Sequence, residues 1–203
     1  IRFDANISHD LEWKFTAPDK EILVEPGVQK IIYASTSGVY GKSAIEKSVS
    51  EDYIVDPRSS YAIAKRYNEI YLQANLIEKG QKSIALRYFN VYGPRQSNTG
   101  QYAPVVGIFQ KQKENNSALT IVGDGSQRRD FVHVNDVARA NYLASILPLQ
   151  GHEGEVFNVG SGKNYSVQEI ADMISPIQTY IEKRPGEVKE TRSVINRIES
   201  DLE

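Results

Sequence analysis

The stretch Lys30-Ile31-Ile32-Tyr33-Ala34-Ser35-Thr36-Ser37-Gly38-Val39-Tyr40-Gly41 decides the fold of this chain. Ile31 to Ser35 is a short apolar run ending in small residues, which is how a strand buried in a parallel sheet reads. Thr36-Ser37-Gly38 and Val39-Tyr40-Gly41 then read as the loop at that strand's carboxyl end. Residues 42–58 are charged and look like a surface loop running into the helix-capping residues Ser59-Ser60. Tyr61 to Lys79 is rich in Ala, Leu, Ile, Glu and Lys and reads as one long helix, with Gly80 as its stop. Ser83 to Tyr88 is the next strand, and Asn90 to Gly100 is a loop built on Gly93-Pro94 and Asn98-Thr99-Gly100.

Further along, residues 104–115 suit a helix, Leu119–Val122 a strand and Gly123-Asp124-Gly125 a tight turn. Val137–Leu147 is a helix begun by Asn135 or Asp136, and Val156–Val159 is a strand. Val167–Ile174 is a helix capped by Ser166, with Glu169 completing a capping box. Residues 1–30 carry no clear pattern beyond a short strand candidate at Ile1–Phe3, and there are no internal repeats. Strands alternating with helices predict an α/β fold with a parallel sheet. In such sheets ligands sit outside the carboxyl ends of the strands. Segments 35–38 and 89–93 both lie there and are expected to face one cleft.

Composition excludes several classes. The 203 residues, 40% hydrophobic and 25% charged, suit one globular domain or two small lobes. A formal charge of −2 creates no global attraction to nucleic acid or anionic membrane. The absence of cysteine excludes disulfides, thiolate catalysis and cysteine-ligated metal, and is compatible with a reducing cytosol. No apolar run is long enough to span a bilayer as a helix. The N-terminus has no signal-peptide pattern. A chain that opens on Ile1 is expected to be a fragment of a longer protein.

Tyr61 and Lys65 lie i, i+4 on the predicted helix and share one face a turn apart. A phenol titrates at about 10 and is a poor base near neutral pH, but an ammonium one turn away favours the phenolate. The pair suits general acid/base work on a hydroxyl while a hydride leaves its carbon. An exposed Tyr and Lys on an amphipathic helix would look the same, and the chain has 12 tyrosines; Tyr61-Lys65 is nevertheless its only Tyr-x-x-x-Lys. Thr36 is either a turn-forming threonine or the hydroxyl that meets Tyr61 in the cleft and holds the substrate oxygen.

Arg87, Arg95, Arg128, Arg129 and Arg184 fall near predicted loops or strand ends, where guanidinium groups suit phosphate. Taken singly, each reads better as a solvated or salt-bridged surface residue. His133, in the alternation Phe131-Val132-His133-Val134, reads as a buried hydrogen-bonded imidazole rather than a catalyst. No His/Asp/Glu cluster has metal spacing. Gly123-Asp124-Gly125 and Gly160-Ser161-Gly162 are turns, not phosphate-cradling loops.

Together these segments resemble the extended short-chain dehydrogenase/reductase family, especially its nucleotide-sugar epimerases and dehydratases. The resemblance rests on residues 31–41, Ser59-Ser60-Tyr61-Ala62-Ile63-Ala64-Lys65, and Leu86-Arg87-Tyr88-Phe89-Asn90-Val91-Tyr92-Gly93-Pro94-Arg95-Gln96. It continues through residues 123–138, Phe157-Asn158-Val159-Gly160 and Arg184-Pro185-Gly186-Glu187. The segment Gly93–Ala103 looks most like UDP-glucose and UDP-N-acetylglucosamine 4-epimerases.

The resemblance implies a Rossmann-like parallel sheet with a smaller C-terminal substrate-binding lobe. Residues 1–100 are expected to form a partial NAD-binding domain with the active site. Residues 101–203 are expected to form mainly the sugar-nucleotide lobe, with segments near 119–160 returning to the sheet. It implies Thr36, Tyr61 and Lys65 as catalytic residues, and Ser35, Tyr61, Lys65 and Tyr88 at the NAD cofactor. Ser37, Phe89, Asn90, Thr120, Arg129, Arg184 and Glu187 are implied at a UDP-sugar substrate. Asn90, Arg129 and Arg184 would face the diphosphate, Glu187 the nucleotide ribose and Thr120 the uracil.

In such enzymes hydride leaves C4 for NAD and returns to the opposite face of a transient 4-keto sugar. Ser37 and Gly38 stand where 4,6-dehydratases need an Asp-Glu pair, so that chemistry is disfavoured. A reductase, decarboxylase or dehydratase on the same scaffold, or a non-catalytic sugar-nucleotide-binding module, are the alternatives. A cytoplasmic homodimer is expected by analogy. The sequence lacks the family's Gly-x-x-Gly-x-x-Gly loop, so the N-terminal part of the Rossmann sheet is expected to be missing and NAD to bind poorly. Residues 175–184 look shortened.

Overall fold

The structure, a computed structural model, describes residues 28, 30–44, 48–98, 103–148, 154–183 and 188–202. In chain order the elements are β1 (Lys30–Thr36), a 3-10 stretch (Ser37–Ala44), β2 (Ser48–Val49), α1 (Ser60–Lys79), β3 (Lys82–Tyr88), β4 (Asn90–Tyr92), α2 (Val105–Glu114) and β5 (Leu119–Val122). They continue with β6 (Arg128–Arg129), β7 (Phe131–His133), α3 (Val134–Ile146), β8 (Glu155–Val159), β9 (Tyr165–Ser166), α4 (Val167–Ile174), β10 (Gln178–Ile181), β11 (Arg192–Ser193) and α5 (Asn196–Leu202).

The main sheet has the order β1-β3-β8, with both pairings parallel. Parallel neighbours need crossovers, and α1 supplies the one between β1 and β3. Side chains that alternate along a strand sort to opposite faces. Ile84 and Leu86 of β3 and Phe157 and Val159 of β8 meet Val137, Ala140 and Ala144 of α3 in one core, joined by Ile32. On the other face Arg87 reaches Glu69 of α1. Helices thus cover both faces of the sheet, which is the Rossmann-like α/β arrangement the sequence predicts. The Lys30 ammonium donates to the carbonyls of Ala144, Ser145 and Leu147, so a cation from β1 closes the C-terminal end of α3.

A second core lies around β5, which pairs in parallel with β10. Leu119 and Ile121 point into it and pack with Phe109 of α2 and Val167 and Ala171 of α4. The pairs β4–β7, β2–β11 and β6–β9 stitch the remaining segments together.

Local chemistry explains the helix ends. Ser59 Oγ accepts the Ala62 N–H at 3.1 Å to open α1, and Gly80 closes it at φ 65°, a left-handed conformation that glycine adopts without penalty. At α4, Ser166 Oγ accepts the Glu169 N–H at 3.0 Å and the Glu169 carboxylate accepts the Ser166 N–H at 2.6 Å, as the capping-box pattern predicts.

Three expectations need correction. Asn90–Tyr92 is a strand rather than a loop, because the Asn90 N–H pairs with the Asp130 carbonyl at 3.0 Å and β4 runs beside β7. The helix predicted from Val137 begins at Val134, because His133 caps it instead of Asn135 or Asp136. The segment read as a loop after Thr36 coils into the 3-10 stretch. Among the described residues no helix is long and apolar enough to cross a membrane.

Candidate active site

The carboxyl end of β1 and the first turns of α1 meet face to face. The Thr36 hydroxyl accepts the Gly38 N–H at 3.1 Å and lies beside the Tyr61 phenol. One turn on, Lys65 Nζ donates to the Ala34 carbonyl at 2.8 Å. The same ammonium lies 5.0 Å from the Tyr33 ring centroid and 5.7 Å from that of Tyr61, within cation–π range. Asn68, a further turn along, donates to the Tyr33 hydroxyl at 3.0 Å. The three side chains singled out by spacing therefore share one corner, with Tyr61 about half exposed at 55%.

The electrostatics differ from the simple expectation. Partial burial pushes the Tyr61 phenol above its ordinary range, opposed by the neighbouring Thr36 hydroxyl. Lys65 sits over the ring face and at a backbone carbonyl, and desolvation lowers its own pKa. The ammonium is thus not what sets the phenol's proton affinity here; burial outweighs it.

The other expected residues divide. Ser35 is buried and turned toward α1, where its hydroxyl donates to Glu69 Oε1 at 2.5 Å. Tyr88 stands opposite Thr36 in the strand register, and its hydroxyl is bonded to Asn141 of α3. Ser37 opens the 3-10 stretch, half-buried. Phe89 is buried, its ring centroid 6.5 Å from that of Tyr40.

Asn90 and Arg129 line one cavity of about 260 Å³ with Tyr92, Pro104 and Phe131. Asn90 Nδ2 donates to the Asp130 carbonyl at 2.9 Å, which fixes its amide at the cavity wall. Thr120 does not line that cavity; its hydroxyl and N–H are both bonded to the Gln112 carboxamide, at 2.7 and 3.0 Å. Arg184 and Glu187 lie outside the described residues.

The wider arginine set also separates. Arg87 is not a surface or phosphate-facing residue: it is 2% exposed and bonded to Glu69 through Nε at 3.0 Å and Nη2 at 2.9 Å. Arg128 is held by Asn164 and Glu169, tying β6 to the start of α4. Arg95 is exposed in the turn after Gly93. His133 is half-buried rather than buried, its Nδ1 accepting the Asn135 N–H at 3.2 Å. Among the described residues no group of three or more His, Asp or Glu side chains is placed to hold a metal ion.

Two buried acids escape the sequence reading. Glu69 is i+8 from Tyr61, so helical periodicity alone places it on the stripe of Tyr61 and Lys65. Asp130 is fully buried, and its carboxylate accepts from the N–H and hydroxyl of both Ser161 and Ser193. Gly160 passes directly beneath, where a Cβ would come within 2.3 Å of Ser193 Oγ. No spacing rule signals Asp130, because its partners lie 31 and 63 residues away.

Comparison with known proteins bears on the family and the fold. The sequence model of the NAD dependent epimerase/dehydratase family matches residues 20–160. A putative UDP-glucose 4-epimerase of Methanocaldococcus jannaschii is 38% identical over 155 residues, covering 76% of this chain and 48% of that protein. The structure of UDP-glucose 4-epimerase from Thermotoga maritima with UDP-glucose superposes with a TM-score of 0.80 at 36% identity, over 87% of this chain and 58% of that one. UDP-glucuronic acid 4-epimerase from Bacillus cereus, in complex with UDP-glucuronic acid and NAD, gives 0.76 at 32% identity, over 85% and 55%. The chain spans about half the length of the curated relatives it matches. A Rossmann-like sheet with a Thr–Tyr–Lys corner at its carboxyl edge, matched by that family over more than half of its length, makes this chain a member of the NAD-dependent epimerase/dehydratase family.

Proposed function

We propose that this chain carries the catalytic and sugar-nucleotide-binding part of a nucleotide-sugar 4-epimerase that acts on UDP-glucose or UDP-N-acetylglucosamine through a transient 4-keto sugar. The observation that carries this reading is the Tyr61 phenol, about half exposed and beside the Thr36 hydroxyl. With Tyr61 as the phenolate, a secondary hydroxyl placed between the two gives up its proton to it while Thr36 holds the oxygen, and the phenol so formed returns that proton in the reverse step. NAD, when bound, supplies the hydride chemistry.

The donor set fits that cofactor's ribose end. Tyr61 and Lys65 offer a phenol and an ammonium at the strand's carboxyl edge, with Tyr88 opposite Thr36. Ser35 supports from behind the strand rather than touching the cofactor. Asn90 and Arg129 offer an amide and a guanidinium to a diphosphate in one cavity, and Ser37 and Phe89 are assigned to the substrate by resemblance. Thr120 at the base, Arg184 at the diphosphate and Glu187 at the ribose complete the assignment by resemblance.

The same reading takes residues 1–100 as the cofactor side and 101–203 as mainly the substrate side, with α3 and β8 belonging to the main sheet. A chain without cysteine suits a reducing cytoplasm. The exposed apolar stripe Ile63, Tyr67, Ile70 and Ile77 on α1 suits pairing with a second copy.

Replacing Tyr61 with Phe tests the assignment. Turnover of UDP-glucose or UDP-N-acetylglucosamine is expected to fall by about 10²–10⁴-fold, with UDP-sugar affinity within about twofold. Product formation at the wild-type rate would overturn the acid/base role.

A further inference from the structure

Three successive turns of α1 reach the last three residues of β1. Tyr61 lies beside the Thr36 hydroxyl, Lys65 donates to the Ala34 carbonyl, and Glu69 accepts from the Ser35 hydroxyl. The positions 61, 65 and 69 form one helical stripe. Two of its members enter the proposed chemistry. The third, Glu69, does not, yet it is the most deeply buried, at 1% exposure.

Glu69 is also bonded on both carboxylate oxygens. Arg87 clamps both of its carboxylate oxygens, and Arg66 donates to Oε2 at 2.9 Å. Arg87 then extends the chain: its Nη1 donates to the Tyr40 hydroxyl at 3.0 Å, and that hydroxyl donates to Asn158 Oδ1 at 2.7 Å. Ser35 and Tyr40 are the residues on either side of Thr36-Ser37-Gly38-Val39. Both ends of the segment that bears Thr36 are therefore tied to one ion pair. A buried ion pair is a poor way to gain stability alone, because desolvation offsets much of the attraction and an apolar pair of equal volume often does as well. Its two polar arms ending at the two flanks of the reacting segment give it a different use.

We propose that the buried Glu69–Arg87 pair is a positioning unit: by holding Ser35 at one end and Tyr40 at the other, it fixes the segment that aims the Thr36 hydroxyl at the Tyr61 phenol. This rests on the reading of Thr36 and Tyr61 as the reacting pair. Neither Glu69 nor Arg87 touches substrate in this scheme. They act through the segment they hold.

Ser35→Ala and Tyr40→Phe each remove one anchor and leave the ion pair in place. The alignment is read in the full chain, with tyrosines carrying ¹³C at Cζ, from the titration of the Tyr61 resonance, assigned by its loss in Tyr61→Phe. Thr36→Val is expected to raise the Tyr61 midpoint by removing the neighbouring hydroxyl that favours the phenolate. Both anchor variants are expected to move it in the same direction. Ala144→Gly, a comparable loss in the core on the α3 face, is expected to leave it unmoved. With NAD and UDP-glucose, kcat is expected to drop about 10- to 100-fold in each anchor variant, with KM within about twofold. A Tyr61 midpoint at the wild-type position in both anchor variants overturns the positioning role, whatever their turnover. A midpoint that shifts in a protein turning over no UDP-sugar upholds the positioning and overturns the functional reading.

Discussion

Glu69 shows how one side chain links stability to pH. Burial penalises its charge, but the Arg87 guanidinium and the Ser35 and Arg66 hydrogen bonds more than compensate and hold the carboxyl below its ordinary range. The native state therefore binds this proton less readily than the unfolded chain, where a Glu titrates at about 4.3. Its contribution is complete above that value and is lost as pH falls through the lower folded value. Urea unfolding of the wild type is expected to weaken steeply below about pH 4. Glu69→Gln is expected to be less stable by about 3–5 kcal/mol at pH 7, because Arg87 is left as an uncompensated buried cation. The gap between the two proteins should narrow as acid protonates the wild type. A gap of constant size from pH 7 to pH 3 would mean that Glu69 titrates alike in the folded and unfolded chain.

At the scale of elements, helix α4 is the clearest case of local sequence dictating local structure. Its capping box satisfies two N–H groups that a helix start would otherwise leave open. Its apolar stripe of Val167, Ile170, Ala171 and Ile174 closes the second core. Ser166→Ala is expected to cost about 1 kcal/mol in denaturant midpoint, and Ser166→Asp much less, since a carboxylate caps equally well. Equal losses for both would show that packing of Ser166, which is 7% exposed, matters more than its oxygen. The elements legible in the sequence are of this kind: β1, α1, β3, β5, β8 and α4 each carry a period or a cap within their own residues. The two- and three-residue strands β2, β4, β6, β9 and β11 do not, because so short a run has no period and exists only through its partner. Asn90–Tyr92, followed by Gly93-Pro94, carries turn composition, and only its pairing with β7 makes it a strand. The candidate site divides the same way. Tyr61 and Lys65 announce themselves by spacing along one helix. Arg87 looks like a solvent-facing residue near a strand end until Glu69, 18 residues earlier, is seen to neutralise it in the interior. Asp130 and its serines have no local signature at all.

Across the whole molecule, α1 serves two surfaces at once. Its inner stripe of Tyr61, Lys65 and Glu69 builds the candidate site, while Ile63, Tyr67, Ile70 and Ile77 face outward with exposures of 54, 62, 51 and 85%. Tyr67 and Tyr71 stack with centroids 6.4 Å apart, adding aromatic area to that outer face. Leaving such a row of apolar side chains in water is costly at roughly 25 cal/mol per Å², whereas a two-fold pairing would bury the same patch on both copies. A stable interface needs about 800 Å² per partner, and a helix of 20 residues, about 30 Å long, offers a row of that order with its neighbours. Sedimentation equilibrium of the 22.8 kDa chain is therefore expected to show a dimer at micromolar concentration. Ile70→Lys, which places an ammonium in the middle of the row, is expected to shift the equilibrium to monomer by at least about tenfold in Kd, since desolvating a charge among apolar side chains costs upwards of about 1.4 kcal/mol. Because the same helix carries the phenol, the monomeric variant should also show a lower melting temperature and a looser Tyr61 environment. A wild-type chain that sediments as a monomer up to high concentration, with Ile70→Lys indistinguishable from it, would detach the outer face of α1 from self-association and leave its apolar row to another partner.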